Sequence, residues 1–324
     1  MLVMTSDALI LAADIGGTNV RFACLEQEAK GAWRVHDFMK LRGAGYPSFD
    51  DALEHYLQTI DARPKRAAFS AAGPIENRTV SLTNADWHIS APEVERRYDI
   101  NVCALYNDFE GMTRSIPELQ DEDFVVIRKG HAQANAPILV AGAGTGFGVG
   151  FLFSVKGGWH VVATEGGHVA YSPQNLLEME LMKTLQRDHD FISLELVSSG
   201  TGMAIIHRAI CEIHNQDYVS TAPAKIREMA ANNDPVCKDV CEIRAQATMG
   251  AIGDFVLSGG ARGGVVLAGG VSERMTGFYT QPASMKRFLN RGARSKYVED
   301  IPIRQVKSPM APLIGAAALF GDAG

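Results

Sequence analysis

The sequence predicts an α/β protein of two domains, and three observations support this. A chain of 324 residues is long enough for about two domains. Strand-like apolar runs alternate with amphipathic helical stretches, as in layered α/β folds. One strand–glycine turn–strand pattern occurs in each half of the chain. No linker rich in Pro or Ser separates the halves, so we expect them to meet along a cleft.

The first half reads as a run of strands followed by alternating helices and strands. Strands are predicted at residues 9–15, 19–26, 33–40, 66–70, 80–82 and 102–106, and helices at 48–60 and from Ser90 onward. The first helix places four apolar residues on one stripe, namely Leu53, Tyr56, Leu57 and Ile60.

The second half carries longer and more clustered helices. Strands are predicted at residues 124–128, 138–141, 148–155, 159–163 and 264–268, and helices at 173–186, 203–214, 223–231, 235–257 and 312–320. Three of these helices follow a capping pair ending in proline, namely Ser172-Pro173, Ala222-Pro223 and Asp234-Pro235.

The repeated pattern appears when the chain is offset by 128 residues, which lays residues 9–23 over residues 137–151. Both segments have an apolar strand, a tight turn of Gly and Thr, and a second strand. Four positions are identical: Ile10, Leu11, Ala13 and Gly16 match Ile138, Leu139, Ala141 and Gly144. Such a repeat indicates a duplicated fold with one hairpin in each half.

Composition restricts the class of partner. The chain is 46% hydrophobic and 21% charged, which is typical of a globular protein, and its formal net charge is −6. This charge favours neither nucleic acid nor an anionic membrane as a partner. Five scattered cysteines fit a reducing, cytoplasmic compartment better than a disulfide framework. Cys237 and Cys241 lack a second pair at metal spacing, so we expect no zinc site.

Two segments have the position or the length of an export signal or a membrane span. The N-terminus lacks a basic stretch and contains Asp7, so it does not resemble a signal peptide. Residues 132–155 carry no charge and are long enough to span a bilayer. Glycines at alternate positions from Gly142 to Gly150 favour two buried strands around a turn instead.

The two glycine turns are candidate phosphate-binding elements. No Gly-Lys-Ser/Thr triplet occurs, and every register of G-x-G-x-x-G near Gly142 fails, so neither a P-loop nor a Rossmann fingerprint is present. A β-hairpin whose backbone N–H groups surround an anion remains, with Thr18 and Thr145 adding hydroxyls. Asp14 would then lie beside a phosphate-bound Mg²⁺, contacting it through water. The alternative for each hairpin is a plain tight turn.

Asn107 and Asp108 follow a predicted strand directly, at the end where α/β sheets bind their ligands. Asp108 is therefore a candidate general base that takes a proton from a substrate hydroxyl. The alternative is a helix N-cap.

Three further polar residues, Glu165, His168 and Glu195, border glycine turns. Glu165 and His168 suggest a metal pair, but no third ligand is near in sequence, and each carboxylate alone fits a solvated surface charge. Together with Asn107 and Asp108 they form a set of hydrogen-bonding groups suited to a polyhydroxylated ligand.

The motifs resemble those of the bacterial hexokinase-type glucokinases, within the actin-like ATPase fold of sugar kinases, heat-shock ATPases and actin. The matching segments, from about residue 9 to the C-terminal helix, are AADIGGTNVRF, GPIENRTVSLTNADW, LYNDFEGM, AGAGTGFGVGF, EGGHVAYSP, LELVSSGTG and VVLAGGV. The resemblance implies a two-domain, ribonuclease H-like fold with a central cleft. It implies a small domain of residues 1–118 and 307–324 and a large domain of residues 119–306.

The same resemblance implies roles for individual residues in ATP-dependent phosphorylation of glucose at its 6-hydroxyl. Nucleotide-binding residues would be Ala13, Asp14, Ile15, Gly16, Gly17, Thr18, Gly144, Thr145, Gly146, Gly269 and Gly270. Glucose would contact Asn107, Asp108, Glu165, His168 and Glu195, with Asp108 as base and ATP and Mg²⁺ as cofactors. Residues 171–186 contain no cysteine, so the zinc motif of the related repressor/open-reading-frame/kinase group is not expected.

Two other functions fit parts of the pattern. A kinase for mannose, fructose or an amino sugar would need a similar polar set, because specificity depends on where each hydroxyl meets its partner. A non-catalytic sugar sensor is disfavoured because only eight residues precede the first predicted strand, too few for a DNA-binding helix-turn-helix. A homodimer is expected only because it is the commonest assembly.

Overall fold

The computed structural model describes residues 8–29, 31–82 and 86–322. The chain divides into two compact units: unit 1 comprises the residues up to Asp121 and those from Ser308 onward, and unit 2 comprises Glu122–Lys307. Part of the GPIENRTVSLTNADW motif, residues 83–85, lies outside the described residues.

The strands of the described chain are β1 (Ile10–Ile15), β2 (Asn19–Gln27), β3 (Trp33–Arg42), β4 (Arg66–Ala71), β5 (Ile75–Glu76), β6 (Thr79–Ser81), β7 (His88–Ser90), β8 (Val102–Asn107), β9 (Phe124–Arg128), β10 (Ile138–Ala143), β11 (Phe147–Val155), β12 (Gly158–Thr164), β13 (Gly264–Leu267) and β14 (Ile303–Val306). The α-helices are α1 (Phe49–Gln58), α2 (Ala91–Tyr98), α3 (Asp108–Ser115), α4 (Leu176–Leu185), α5 (Leu194–Ser198), α6 (Gly202–Ile213), α7 (Pro223–Ala231), α8 (Pro235–Gly259), α9 (Gly270–Tyr279), α10 (Pro282–Leu289), α11 (Ser295–Val298) and α12 (Ala311–Asp322).

Each unit is built on one main sheet of similar topology. The strand order is β3-β2-β1-β4-β8 in unit 1 and β12-β11-β10-β13-β14-β9 in unit 2. In each sheet an antiparallel hairpin is followed by parallel strands, because β1 pairs parallel with β4 and β10 pairs parallel with β13. The predicted duplication is confirmed: Ile10–Ile15 and Asn19–Gln27 correspond to Ile138–Ala143 and Phe147–Val155 at the 128-residue offset.

The uncharged segment 132–155 contains β10 and β11, as predicted for two strands around a glycine turn. Among the helices in the described ranges, none has the length and apolar character needed to cross a membrane.

The core of unit 1 contains an aromatic cluster, in which Phe22 and Phe69 of the sheet pack with Phe49 and Tyr56 of α1. The core of unit 2 is organised around α8, a 25-residue helix with buried residues distributed along it. Asp234 caps α8 by accepting a hydrogen bond from the Cys237 N–H at 2.8 Å, as the Asp-Pro pair predicted.

One predicted helix start is wrong. The pair Ser172-Pro173 does not begin a helix; α4 begins at Leu176, three residues later. Asn175 is the N-cap and accepts from the Glu178 N–H at 2.8 Å, while Glu178 Oε2 accepts from the Gln174 N–H at 2.9 Å. This cap satisfies the Glu178 N–H in the first turn of the helix and the Gln174 N–H just before it, so it determines where the helix begins.

Candidate active site

In unit 1, the first glycine turn and Asp108 emerge from the same edge of the sheet. β1, β4 and β8 are parallel neighbours, and Ile15, Ala71 and Asn107 are partners in one row across them. Gly16 and Asp108 each follow that row by one residue. Since neighbouring strands lie about 4.8 Å apart, β1 and β8 are separated by roughly 10 Å.

The first turn presents backbone and hydroxyl groups, while its flanking side chains belong to the core. Ala13 and Ile15 are fully buried, whereas Gly16 and Gly17 are partly exposed and Thr18 is exposed. The Gly16 N–H donates to the Asn19 carbonyl at 3.1 Å, which closes the turn.

Asp14 is a buried carboxylate paired with a cation from the next strand. It is 8% exposed and faces Arg21 in the β1–β2 register, and the Arg21 guanidinium donates to its Oδ2. Burial raises the pKa of Asp14 because the charged form loses hydration, and the positive charge of Arg21 opposes that rise. Arg21 thus supplies the cation that an aspartate in an apolar strand requires.

Asp108 is the first residue of α3, and its neighbour Asn107 is the N-cap. The Phe109 N–H donates to Asn107 Oδ1 at 2.9 Å and to Asp108 Oδ1 at 2.8 Å. Glu110 accepts a hydrogen bond from the Asn107 backbone N–H, which opposes the rise in the pKa of Glu110 caused by burial. The capping role proposed as an alternative for Asp108 therefore belongs mainly to Asn107 and Glu110.

Close contacts between helices hold α3 in place. A Cβ atom on Gly111 would lie 2.3 Å from Ser70 Oγ, and a Cβ on Gly315 in α12 would lie 1.7 Å from the Gly111 carbonyl oxygen. α3 therefore packs with its backbone directly against β4 and α12. This packing fixes the start of α3, where Asp108 lies.

In unit 2, the second glycine turn joins β10 to β11 through three residues, as the first turn joins β1 to β2. Its last strand pair is Ala143–Phe147, which leaves Gly144, Thr145 and Gly146 as the connection. The Gly144 N–H donates to the Gly146 carbonyl at 2.9 Å. Thr145 is exposed at the tip, like Thr18 in the first turn.

A segment that sequence reasoning missed supports this turn. The Gly200 N–H donates to the Gly144 carbonyl at 2.9 Å, and Thr201 Oγ1 donates to the Thr145 carbonyl at 3.2 Å. A Cβ on Gly200 would lie 2.8 Å from the Gly144 oxygen. The Gly200-Thr201-Gly202 run, part of the LELVSSGTG motif, was the available signal.

Gly269 and Gly270 lie beside the same turn, at the N-terminus of α9. Gly269 has a φ of +90°, and a Cβ there would lie 2.5 Å from the Ala143 carbonyl oxygen. The predicted glycine turn is thus followed directly by a helix whose N-terminal N–H groups favour an anion. Ser272, in the first turn of α9, accepts from the Ala143 N–H at 2.8 Å through its Oγ.

Glu165, His168 and Glu195 come together at the beginning of β11. The Phe147 N–H donates to Glu195 Oε2 at 2.7 Å, and a Cβ on Gly167 would lie 2.0 Å from the Phe147 carbonyl oxygen. Glu165 Oε2 and His168 Nε2 are 4.0 Å apart, and both side chains are exposed. A short pairing supports the arrangement, because the Leu194 N–H donates to the Val169 carbonyl at 2.8 Å.

The predicted residues thus form one group in unit 1 and one in unit 2. Asp14, the Gly16–Thr18 turn, Asn107 and Asp108 share a sheet edge, and the second turn lies with Glu165, His168, Glu195, Gly269 and Gly270 around the hairpin of β10 and β11. Within the described ranges, no three His, Cys, Asp or Glu side chains cluster as a metal site. The donor that suits Mg²⁺ is the Asp14 carboxylate, which precedes the first residue of the phosphate-type turn, Gly16, by two positions.

Comparison with known proteins gives consistent matches along nearly the whole chain. The family model described as Glucokinase matches residues 11–323. A curated glucokinase from Chromobacterium violaceum is 33% identical over 314 residues, which cover 96% of this chain and 89% of that protein.

Solved structures give the same result. The crystal structure of a glucokinase from an Antarctic psychrotroph is similar with a TM-score of 0.86 and 33% identity, covering 97% of this chain and 99% of that one. A ROK family glucokinase from Streptomyces griseus, in complex with glucose and AMPPNP, has a TM-score of 0.66 at 19% identity, covering 96% and 98%. This second likeness shows the shared two-domain actin-like ATPase fold.

Proposed function

The chain belongs to the glucokinase family and phosphorylates glucose with ATP, and on that premise we propose that Asp108 is the general base of this reaction. The observation that carries the proposal is the row Ile15–Ala71–Asn107, which brings the first glycine turn and Asp108 to one sheet edge. A phosphate-binding turn and a carboxylate about two strand spacings apart leave room for a hydroxyl between the carboxylate and a bound phosphate.

In this proposal Asp108 orients the sugar 6-hydroxyl and accepts its proton as the new O–P bond forms and the bond from the γ-phosphorus to the bridging oxygen of ATP breaks, which releases ADP. Phosphoryl transfer has a loose transition state, so alignment of the hydroxyl contributes more than strong base catalysis. The hydrogen bond from the Phe109 N–H to Asp108 Oδ1 holds the carboxylate in one orientation. Asn107 adds an amide whose oxygen is already committed to the cap.

We assign the other sugar contacts to Glu165, His168 and Glu195 in unit 2. Carboxylate oxygens accept hydrogen bonds from sugar hydroxyls, and the imidazole of His168 can donate or accept one. Glu165 and His168 are exposed and available to a ligand, whereas Glu195 is partly occupied by the Phe147 N–H. Fixed acceptors at defined positions are what distinguishes one hexose from its epimers.

We assign ATP to the two glycine turns and to the N-terminus of α9. Gly16, Gly17 and Thr18 in one unit and Gly144, Thr145 and Gly146 in the other offer backbone N–H groups and hydroxyls to phosphate oxygens, and Gly269 and Gly270 offer the nucleoside side a close backbone approach. Asp14 would hold Mg²⁺ through water, and the bound ion would neutralise charge on the phosphates.

Two wider predictions belong to the same proposal. We expect a homodimer, the commonest symmetric assembly, which light scattering coupled to size-exclusion chromatography measures directly. A cytoplasmic location stays a prediction from the cysteine usage.

The proposal is tested by a coupled ADP-release assay of the wild-type chain and of Asp108→Asn. The wild type is expected to release ADP with glucose and to prefer glucose over mannose, fructose and glucosamine in kcat/KM. Asp108→Asn is expected to lose about 10²–10⁴-fold in kcat while its glucose affinity, measured by calorimetry, stays within about tenfold. A near-native kcat in Asp108→Asn would overturn the base assignment.

A further inference from the structure

A buried polar cluster lies behind the second glycine turn. Arg244, in the middle of α8, is 2% exposed and donates to the carbonyls of Val197 and Ser198 at 3.4 and 3.1 Å. These are the last residues of α5, and Gly200, which contacts the Gly144 carbonyl, follows two residues later.

The same cluster reaches the other side of the turn through α9. Tyr279 is 1% exposed, and its hydroxyl donates to Ser272 Oγ at 3.4 Å. Ser272 Oγ in turn accepts from the N–H of Ala143, the residue before the turn. Burial raises the pKa of Tyr279, and the nearby positive charge of Arg244 opposes that rise.

Burying the Arg244 side chain is unfavourable in free energy, because a buried guanidinium loses its hydration. Within the described ranges no carboxylate forms an ion pair with it, and its Nε has no hydrogen-bond partner. Burial lowers the pKa of Arg244 to about 10, which reflects the cost of keeping the guanidinium away from water. An apolar side chain could fill the same volume at a lower free-energy cost. The presence of a cation here therefore indicates a role besides packing of the core.

We propose that Arg244, Tyr279 and Ser272, the Arg244 cluster, position the second glycine turn and the segment that follows Glu195 for phosphoryl transfer. This inference rests on the proposed roles of Gly144–Gly146 and Glu195. Arg244 fixes the end of α5, and with it Glu195 at one end and Gly200 at the other. Ser272 fixes the first strand of the hairpin at Ala143. None of the three is a catalytic residue in this scheme.

The proposal predicts that variants of the Arg244 cluster change KM for ATP and KM for glucose to different extents. Ser272→Ala removes the acceptor from the Ala143 N–H, so it is expected to raise KM for ATP about tenfold and KM for glucose less than that. Tyr279→Phe is expected to do the same more weakly, because its hydroxyl acts through Ser272. Arg244→Met keeps an unbranched apolar stem but removes the guanidinium and frees the end of α5, so it is expected to raise KM for both substrates.

The matched control is Arg291→Met. Arg291 is also a largely buried arginine against α8, where it donates to the Gly250 carbonyl at 2.9 Å, but it pairs with Asp254 and contacts neither turn nor α5. Melting temperatures are measured for every variant, so loss of stability is separated from a change in KM. The inference fails if Arg244→Met and Ser272→Ala change KM no more than Arg291→Met does. It fails separately from the proposed function, which is tested by ADP release from the wild type with glucose and by the kcat of Asp108→Asn.

Discussion

Gly146 and Glu195 are in such close contact that a Cβ atom on Gly146 would lie 2.5 Å from Glu195 Oε2. The second glycine turn and a proposed sugar-binding carboxylate therefore depend on each other's position. Phe147, which follows Gly146, donates its N–H to the same oxygen. The proposed nucleotide-binding turn thus directly limits where Glu195 can lie.

Gly146→Ala is expected to displace Glu195 and to weaken the binding of both substrates. A displacement of about 1 Å in a reacting complex can cost up to about a hundredfold, so we expect KM for glucose to rise at least tenfold and kcat to fall. Steady-state kinetics with each substrate varied in turn measure this. Gly277→Ala is the control, because a Cβ on Gly277 in α9 meets nothing within 4 Å. An unchanged KM for glucose in Gly146→Ala would contradict the proposed role of Glu195.

Arg21→Gln is expected to move the acid limb of activity to higher pH. Burial raises the pKa of Asp14 and Arg21 opposes the rise, so removing the cation raises that pKa further. Protonated Asp14 would hold Mg²⁺ poorly. The pH profile of kcat/KM for MgATP between pH 5 and 9 measures the shift.

The same variant has a pH-dependent effect on stability, with a defined sign. Because the folded pKa of Asp14 lies above its unfolded value, protonation favours the folded state. The loss of unfolding free energy in Arg21→Gln is therefore largest at neutral pH and shrinks as the pH falls through the pKa of Asp14. Arg34→Gln, which removes an exposed pair with Glu28 on the same sheet, should show neither effect.

Gly315→Ala is expected to destabilise unit 1 and to disturb Asp108. Its Cβ would lie 1.7 Å from the Gly111 carbonyl oxygen, so α12 and α3 must separate, at a cost of about 1–3 kcal/mol or more. Denaturant unfolding and kcat measure the two consequences. Gly321→Ala lies in the same helix with nothing within 4 Å of its Cβ, and we expect it to be neutral or slightly stabilising. Equal stability of the two variants would contradict the close packing of α3 and α12.

The sequence predicted the parts of the site that depend on local pattern. The strand–turn–strand repeat predicted both hairpins because alternating burial and glycine turns are readable over about fifteen residues. The motif NDFE also carried a readable capping box, in which Asn107 and Glu110 are the capping residues. Asp108 could therefore have been assigned to the first position of α3 from the sequence alone.

The remaining contacts depend on residues far apart in the chain. Ser272 is hydrogen-bonded to Ala143, 129 positions away, and Arg244 to Ser198, 46 positions away. No local sequence pattern predicts either pair. α9 was missed because glycine and threonine at Gly270, Thr276 and Gly277 are weak helix formers, so tertiary packing determines this helix. For the cysteines the prediction was partial. Their scattered positions argued against a disulfide framework, but their burial is visible only in the structure.

All five cysteines are free and buried, namely Cys24, Cys103, Cys211, Cys237 and Cys241. Burial raises the pKa of Cys24 and Cys241 to about 11 and that of Cys103 and Cys237 to about 12, so at pH 8 only about one thiol in a thousand or fewer is the reactive thiolate. We therefore expect Ellman's reagent to react with the native protein far more slowly than it reacts with the free thiol of glutathione. In guanidinium chloride we expect all five thiols to react together. Rapid labelling of the native chain would mean that unit 1 or unit 2 opens readily, and cysteine-to-serine variants would identify which one.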